Sequence, residues 1–238
     1  MNTETAHTNV DPAEVAKFDQ LASRWWDPAG EFKPLHRLNP LRVDYIATRV
    51  PLQGRKVVDV GCGGGILSEA LARRGAEVTG IDMAGEALGV ARLHRLETGL
   101  DIDYRQTTAE QFADEMAGQF DIVACMELLE HVPDPASLIA ACARLVKPGG
   151  DLFFSTLNRT PQAWLLAVVG AEYLLRLLPK GTHQYDTFIR PSELDTWARS
   201  AGLESREITG MGYHPLTGDF FETRNISINY ITHYRREG

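Results

Sequence analysis

The strongest constraint on this chain is the run Val57-Val58-Asp59-Val60-Gly61-Cys62-Gly63-Gly64-Gly65. A short β-branched segment, read as a buried strand, breaks into glycines. A glycine loop directly after a strand lets a ligand approach the backbone at the carboxyl edge of a parallel sheet. The flanking pattern supplies that sheet. Short apolar runs at 77–81, 102–105, 120–125 and 152–156 alternate with helical segments at 66–73, 85–97 and 135–146. Strands with little polar alternation, separated by helices, predict an α/β, doubly wound, mainly parallel seven-stranded sheet covered on both faces. Pro148-Gly149-Gly150 reads as a turn before one of these strands. A helix at 191–201 and strands at 203–208 and 226–231 complete the pattern, the last suited to an antiparallel edge.

Before the first strand, Asp11 as N-cap, Pro12 and the spacing of Val15, Phe18 and Leu21 predict a helix over 11–24. Asn39-Pro40 predicts a second helix reaching Arg49 by the same logic. The expected organisation is an N-terminal helical extension over 1–50 that contributes to the ligand pocket, then one domain over 51–238. A net charge of −8 with dispersed Lys and Arg excludes a nucleic-acid partner. Cys62, Cys125 and Cys142 form no CxxC pair, which fits a reducing compartment. The first ten residues are polar, and the longest apolar run is about half a membrane span, so the expected location is cytoplasmic.

The glycines fall as G-x-G-G-G-I, which places Ile66 at the third glycine of the dinucleotide fingerprint and argues against a nicotinamide enzyme. Asp59 is an acid inside the strand. It suits a ligand whose near end is an ammonium group, as in S-adenosylmethionine, which has a sulfonium and no phosphate; otherwise Asp59 only ties down loop amides. Asp82, ending Gly80-Ile81-Asp82-Met83 about 20 residues on, can accept both ribose hydroxyls or cap the next helix.

Together VVDVGCGGG, TGIDM, FDIVACMELLEHVPDP and LVKPGG resemble the motif series of class I methyltransferases. The chain is more specifically similar to the ubiquinone biosynthesis O-methyltransferases. They share Ser23-Arg24-Trp25-Trp26-Asp27, Glu31-Phe32-Lys33-Pro34-Leu35-His36, the stretch Phe153 to Arg159, and Val168-Val169-Gly170-Ala171-Glu172-Tyr173. The resemblance spans nearly the whole chain. It implies that Arg42, Gly61, Asp82 and Met126 line the S-adenosylmethionine pocket; Asp59, Gly63 and Met83 are further candidate cofactor contacts from the strand ends themselves. Arg42 would hold the methionine carboxylate.

Glu127, Glu130 and His131 follow the fourth strand, at the active edge, and share one face if the segment is helical. Two chemistries are open. The carboxylates could hold magnesium and acidify a catechol hydroxyl, or His131 could remove the phenol proton as a general base. The resemblance implies magnesium dependence with these three residues as ligands. It also implies a polyprenylated phenol or catechol substrate, both O-methylations of ubiquinone biosynthesis, and association with other enzymes of that pathway.

Trp164 to Lys180 is apolar on most sides and is too short to span a bilayer. A core helix, a lid over a greasy substrate and an interfacial helix compete. Lys180, His183 and Arg190 nearby favour a lid over 160–190 that also touches anionic lipid at the inner face of the cytoplasmic membrane. A carbon methyltransferase of quinone biosynthesis and a non-catalytic S-adenosylmethionine-binding module are the competing functions.

Overall fold

The computed structural model describes residues 9–165 and 185–238. Most of the apolar insert falls outside these residues, including Lys180 and His183.

Helix α1 covers Pro12–Leu21, with the Asp11 side chain accepting from the Ala13 amide, and a 3-10 turn continues it over Ala22–Arg24. Helix α2 covers Lys33–Arg49, earlier than Asn39-Pro40 indicated. Pro34 takes the first-turn position. Pro40 lies inside the helix, where its missing N–H leaves one rung unmade. Asn39 is no cap: it is buried, and its Nδ2 donates to the Ile66 carbonyl at 3.1 Å, tying α2 to the glycine loop.

Alternation then proceeds as expected through β1 (Lys56–Val60), α3 (Ile66–Arg73), β2 (Glu77–Asp82), α4 (Gly85–Thr98) and β3 (Ile102–Gln106). Helix α5 (Ala109–Met116) was not anticipated, although Thr108 and Gln111 form a capping-box pattern and the Thr108 hydroxyl accepts from the Gln111 amide. Then come β4 (Phe120–Met126), α6 (Pro135–Leu145), β5 (Val146–Leu157) and the short α7 (Pro161–Trp164). After the gap follow α8 (Pro191–Ser200), β6 (Leu203–Tyr213), β7 (Phe220–Thr223) and β8 (Asn229–Arg236).

Among the described residues eight strands order as β3-β2-β1-β4-β5-β8-β6-β7, one more than expected. β3, β2, β1, β4 and β5 run parallel. β8 is antiparallel, but it is inserted between β5 and β6 rather than left at an edge. The edge position goes to the short β7. Pro148-Gly149-Gly150 forms no separate turn. It is an irregularity within β5, where the register with β4 slips between Phe120 and Ile122 and Gly149 takes φ +74°.

One face of the sheet buries Phe112, Ile139 and Phe154 under α5, α6 and α8. The other buries Tyr45, Leu71 and Leu88 under α2, α3 and α4. The chain builds outward from β1 to β3 and then crosses back to place β4 on the other side of β1. The carboxyl ends of β1 and β4 therefore flank the topological switch point, where such sheets bind ligands.

Candidate active site

The glycine loop leaves β1 with Gly61, Gly63 and Gly65 at φ +76°, +50° and +88°, a region closed to most side chains. The Gly61 and Cys62 amides both donate to the Ile81 carbonyl, at 2.8 and 3.1 Å. The loop is enclosed on two sides. A β-carbon at Gly61 would stand 2.8 Å from Leu128, and one at Gly64 would stand 2.3 Å from the Trp25 indole. Trp25 is buried and stacks on Phe32 with ring centroids 4.0 Å apart. Trp26 Nε1 donates to the Gly64 carbonyl at 2.9 Å, and its ring stacks on His94. The aromatic pair that reads as a loop in sequence is thus the wall of the site.

Asp82, at the end of β2, accepts from the Gly63 amide through Oδ2 and from the Ala84 amide through Oδ1, both at 2.8 Å. It therefore caps the approach to α4 and fixes the glycine loop. Each oxygen retains a lone pair able to take a ribose hydroxyl. Desolvation pushes this carboxyl above its ordinary range, and the Ala84 and Gly63 amides pull it back. Met83 lies beside it, and Met126 ends β4 buried within the α2–α4 face.

Asp59 is 2% exposed and accepts from the Ser68 hydroxyl at 2.6 Å. Burial pushes its carboxyl up to about 6, against the pull of that bond. Arg42, buried on α2, forms an ion pair with Glu127, while its Nε has no partner among the described residues. Burial lowers Arg42 to about 10, and the charges of Asp59 and Glu130 pull it back up. Three carboxylates, Asp59, Glu127 and Glu130, thus surround one guanidinium, an excess of negative charge suited to a cationic ligand.

Glu127, Glu130 and His131 do not lie on one helical face. Glu127 takes φ +51°, alone among described non-glycine residues, and a 3-10 turn over Leu129–His131 follows. A turn that opens on a left-handed residue is not one helical face, and the three side chains take different partners. Glu127 turns to Arg42 and accepts from the Ser155 hydroxyl at 3.3 Å. Glu130, 5% exposed, accepts from the Thr156 hydroxyl at 2.8 Å and leaves Oε1 without a partner among the described residues. His131 Nδ1 meets Glu14 Oε2 of α1 at 2.9 Å. Among the described residues no group of three His, Cys, Asp or Glu side chains converges as a metal site would require. The donors expected to share magnesium do not fit one ion in this arrangement.

Burial lowers the basicity of His131, but its bond to Glu14 and the nearby Glu130 charge outweigh that and raise it. The same bond holds Glu14 down at about 2. Glu14 and Trp25 are the site residues that sequence reasoning missed. Trp25 appeared only as part of a shared motif. Glu14 carries no local signal, since its role exists only once α1 is docked.

A methyltransferase-domain family pattern matches residues 31–208. A ubiquinone biosynthesis O-methyltransferase of Pseudomonas aeruginosa PAO1 is 62% identical, covering 97% of this chain and 99% of its own length. One of Saccharophagus degradans is 60% identical over 98% of this chain and 99% of its own. Among solved structures, a magnesium protoporphyrin IX methyltransferase from Synechocystis PCC 6803 with bound S-adenosylhomocysteine superposes at a TM-score of 0.67 with 19% identity. That superposition covers 94% of this chain and 99% of the other, and establishes the shared fold.

Proposed function

Because the chain belongs to the ubiquinone biosynthesis O-methyltransferases, within the class I S-adenosylmethionine-dependent methyltransferases, we propose how its own residues perform the transfer. The enzyme methylates phenolic oxygen on ubiquinone precursors. The observation that carries this is sequence identity extending over essentially the full length of both chains. The carboxylate-rich site at the switch point supports it, because the methyl donor brings an ammonium and a sulfonium.

In this reading Arg42 receives the methionine carboxylate and Asp59 faces the ammonium. Asp82 takes the ribose hydroxyls, while Gly61, Gly63, Met83 and Met126 form the walls. His131 takes the proton from the phenol, and the resulting oxyanion attacks the sulfonium methyl. As the new C–O bond forms, the C–S bond breaks and its electron pair stays on sulfur, releasing neutral S-adenosylhomocysteine. Most of the acceleration comes from alignment in a site shielded from water, since the sulfonium methyl is already electrophilic.

Whether magnesium takes part is a separate matter. For Glu127, Glu130 and His131 to share an ion, Glu127 would have to leave Arg42, whereas the His131 Nδ1 bond to Glu14 could stay in place. The substrate reading extends to both O-methylations and to a prenylated acceptor taken from the bilayer. Exposed Trp164 and Leu165, at 43% and 56%, support contact with lipid at the start of the insert. Among the described residues no helix is long and apolar enough to cross a membrane. Arg190 is exposed on the far side of the undescribed stretch. Location at the inner membrane face and association with other enzymes of the pathway remain part of this proposal.

The test is incubation with methyl-labelled S-adenosylmethionine and a short-chain prenyl catechol, with and without chelator. Label on ring oxygen is expected, and label on carbon would replace the reaction. Oxygen labelling that survives the chelator would leave His131 as a base without metal. Loss of labelling that magnesium restores would require the donors to regroup.

A further inference from the structure

The β6–β7 hairpin stands over the edge of the sheet where the site lies. β5 and β6 are both antiparallel to β8 and so run the same way, with Ser155, Ile231 and Thr209 in one row. Ser155 is level with the site, since its hydroxyl donates to Glu127. β6 continues four residues past Thr209 to Tyr213, and so overhangs that row by about 13 Å.

The overhang is apolar and is joined to the site. Met211 belongs to the same buried cluster as Met126, and Phe220 packs against that cluster. Phe220 pairs with Tyr213 across the hairpin at a ring-centroid distance of 5.1 Å, and Tyr213 is left 46% exposed. Leu216, in the connecting loop, is 91% exposed. That loop is held in place. The His214 amide donates to the Asp219 carbonyl at 2.8 Å, and the Gly218 amide to the His214 carbonyl at 2.7 Å. Arg37 of α2 donates to the Gly218 carbonyl at 3.4 Å. A lone exposed leucine is ordinary. Here the leucine is fixed at the end of an apolar strip that leads out of the site.

We propose that this strip of Phe220, Tyr213 and Leu216 receives the isoprenoid tail of the acceptor, so that the hairpin reads prenylation. The proposal rests on the reading of the acceptor as a prenylated phenol. Residues 213–220 contain Asp219 and no Lys or Arg, so the loop has no fixed cation for anionic lipid. An uncharged chain is indifferent to that and gains from each apolar contact. The hairpin lies beyond residues 31–208, so this role is separate from the matched methyltransferase domain.

The experiment measures kcat/KM, without vesicles, for catechols carrying no, one and three isoprene units. It compares the wild type with Leu216→Ser, Tyr213→Ser and Phe221→Ala in the full chain. The Kd for S-adenosylmethionine and co-sedimentation with phosphatidylcholine vesicles are recorded alongside. Phe221 is the control for hairpin folding: it is 46% exposed and lies over Gly212, on the face opposite Phe220. The wild type is expected to favour the longest tail. Leu216→Ser and Tyr213→Ser should each lower kcat/KM for the three-unit catechol by about tenfold. Neither should change turnover of the unprenylated catechol or the cofactor Kd.

A wild type that methylates none of the catechols would overturn the acceptor reading and, with it, this role. One that methylates all of them equally would overturn the tail site alone, as would a tail preference kept in full by both serine variants. An equal loss on the unprenylated catechol, or in Phe221→Ala, would overturn it in favour of hairpin folding. Loss of vesicle binding with an unchanged tail preference would assign the strip to the bilayer instead.

Discussion

The indole of Trp25 lies so close over Gly63 that a β-carbon on that glycine would stand 2.2 Å from Cζ2. The amide of the same glycine donates to Asp82, and its φ is +50°. One residue without a side chain therefore joins the end of β1, the end of β2 and the N-terminal segment.

Gly63→Ala should destabilise the protein by about 1–3 kcal/mol, through the left-handed backbone and the clash with the indole together. Urea unfolding gives the loss, and calorimetry should show weakened S-adenosylmethionine binding. Adding Trp25→Ala should relieve the clash but not the backbone strain. Wild-type stability in Gly63→Ala would mean that the loop and indole are not in contact.

Arg42 can be separated into a structural and a binding role. Arg42→Met leaves Glu127 without its cation and should cost about 3 kcal/mol. Arg42→Met with Glu127→Met should recover most of that stability and none of the cofactor affinity. Recovery of both would remove Arg42 from the proposed carboxylate site.

Asp59 sets a pH dependence whose sign is fixed by its burial. Its folded-state carboxyl is raised from 3.8 to about 6. Its contribution to stability is therefore full below the ordinary value and is lost as pH rises through about 6. An ammonium ligand prefers the ionised form. The Kd for S-adenosylmethionine should therefore fall by up to roughly tenfold per unit as pH rises from about 5, levelling above about 7. Calorimetry across that range checks it, and Asp59→Asn should abolish the slope. A flat wild-type profile would remove Asp59 from the ammonium.

The thiols report on closure of the loop. Cys62, Cys125 and Cys142 are all buried and unpaired by disulfide. Burial pushes the Cys62 thiol well up, as do the bond to Cys142 and burial for Cys125. A chromogenic disulfide reagent should label none of the three in the native protein and all three in denaturant. Fast labelling of Cys62 in the native state would show that the glycine loop opens.

The sequence by itself determined the parallel core, because each buried strand and its helix announce themselves through local periodicity. Lys56–Val60, Ile66–Arg73 and Glu77–Asp82 fall within a residue or so of their expected limits. The residues of the glycine loop were equally legible, since only a backbone that takes positive φ and admits close approach needs so many glycines together. Three features depended on the tertiary structure. β8 was read as an edge strand, yet it lies between β5 and β6, because the pairing of a strand depends on partners distant in sequence. Glu127, Glu130 and His131 are close in sequence but take different partners, because a single left-handed residue redirects the turn. Glu14 and His131, 117 positions apart, meet only when α1 packs across the site. Periodicity reports which face of an element is buried. It does not report which side chain waits on the other side, and that is what decided the charge and geometry around His131.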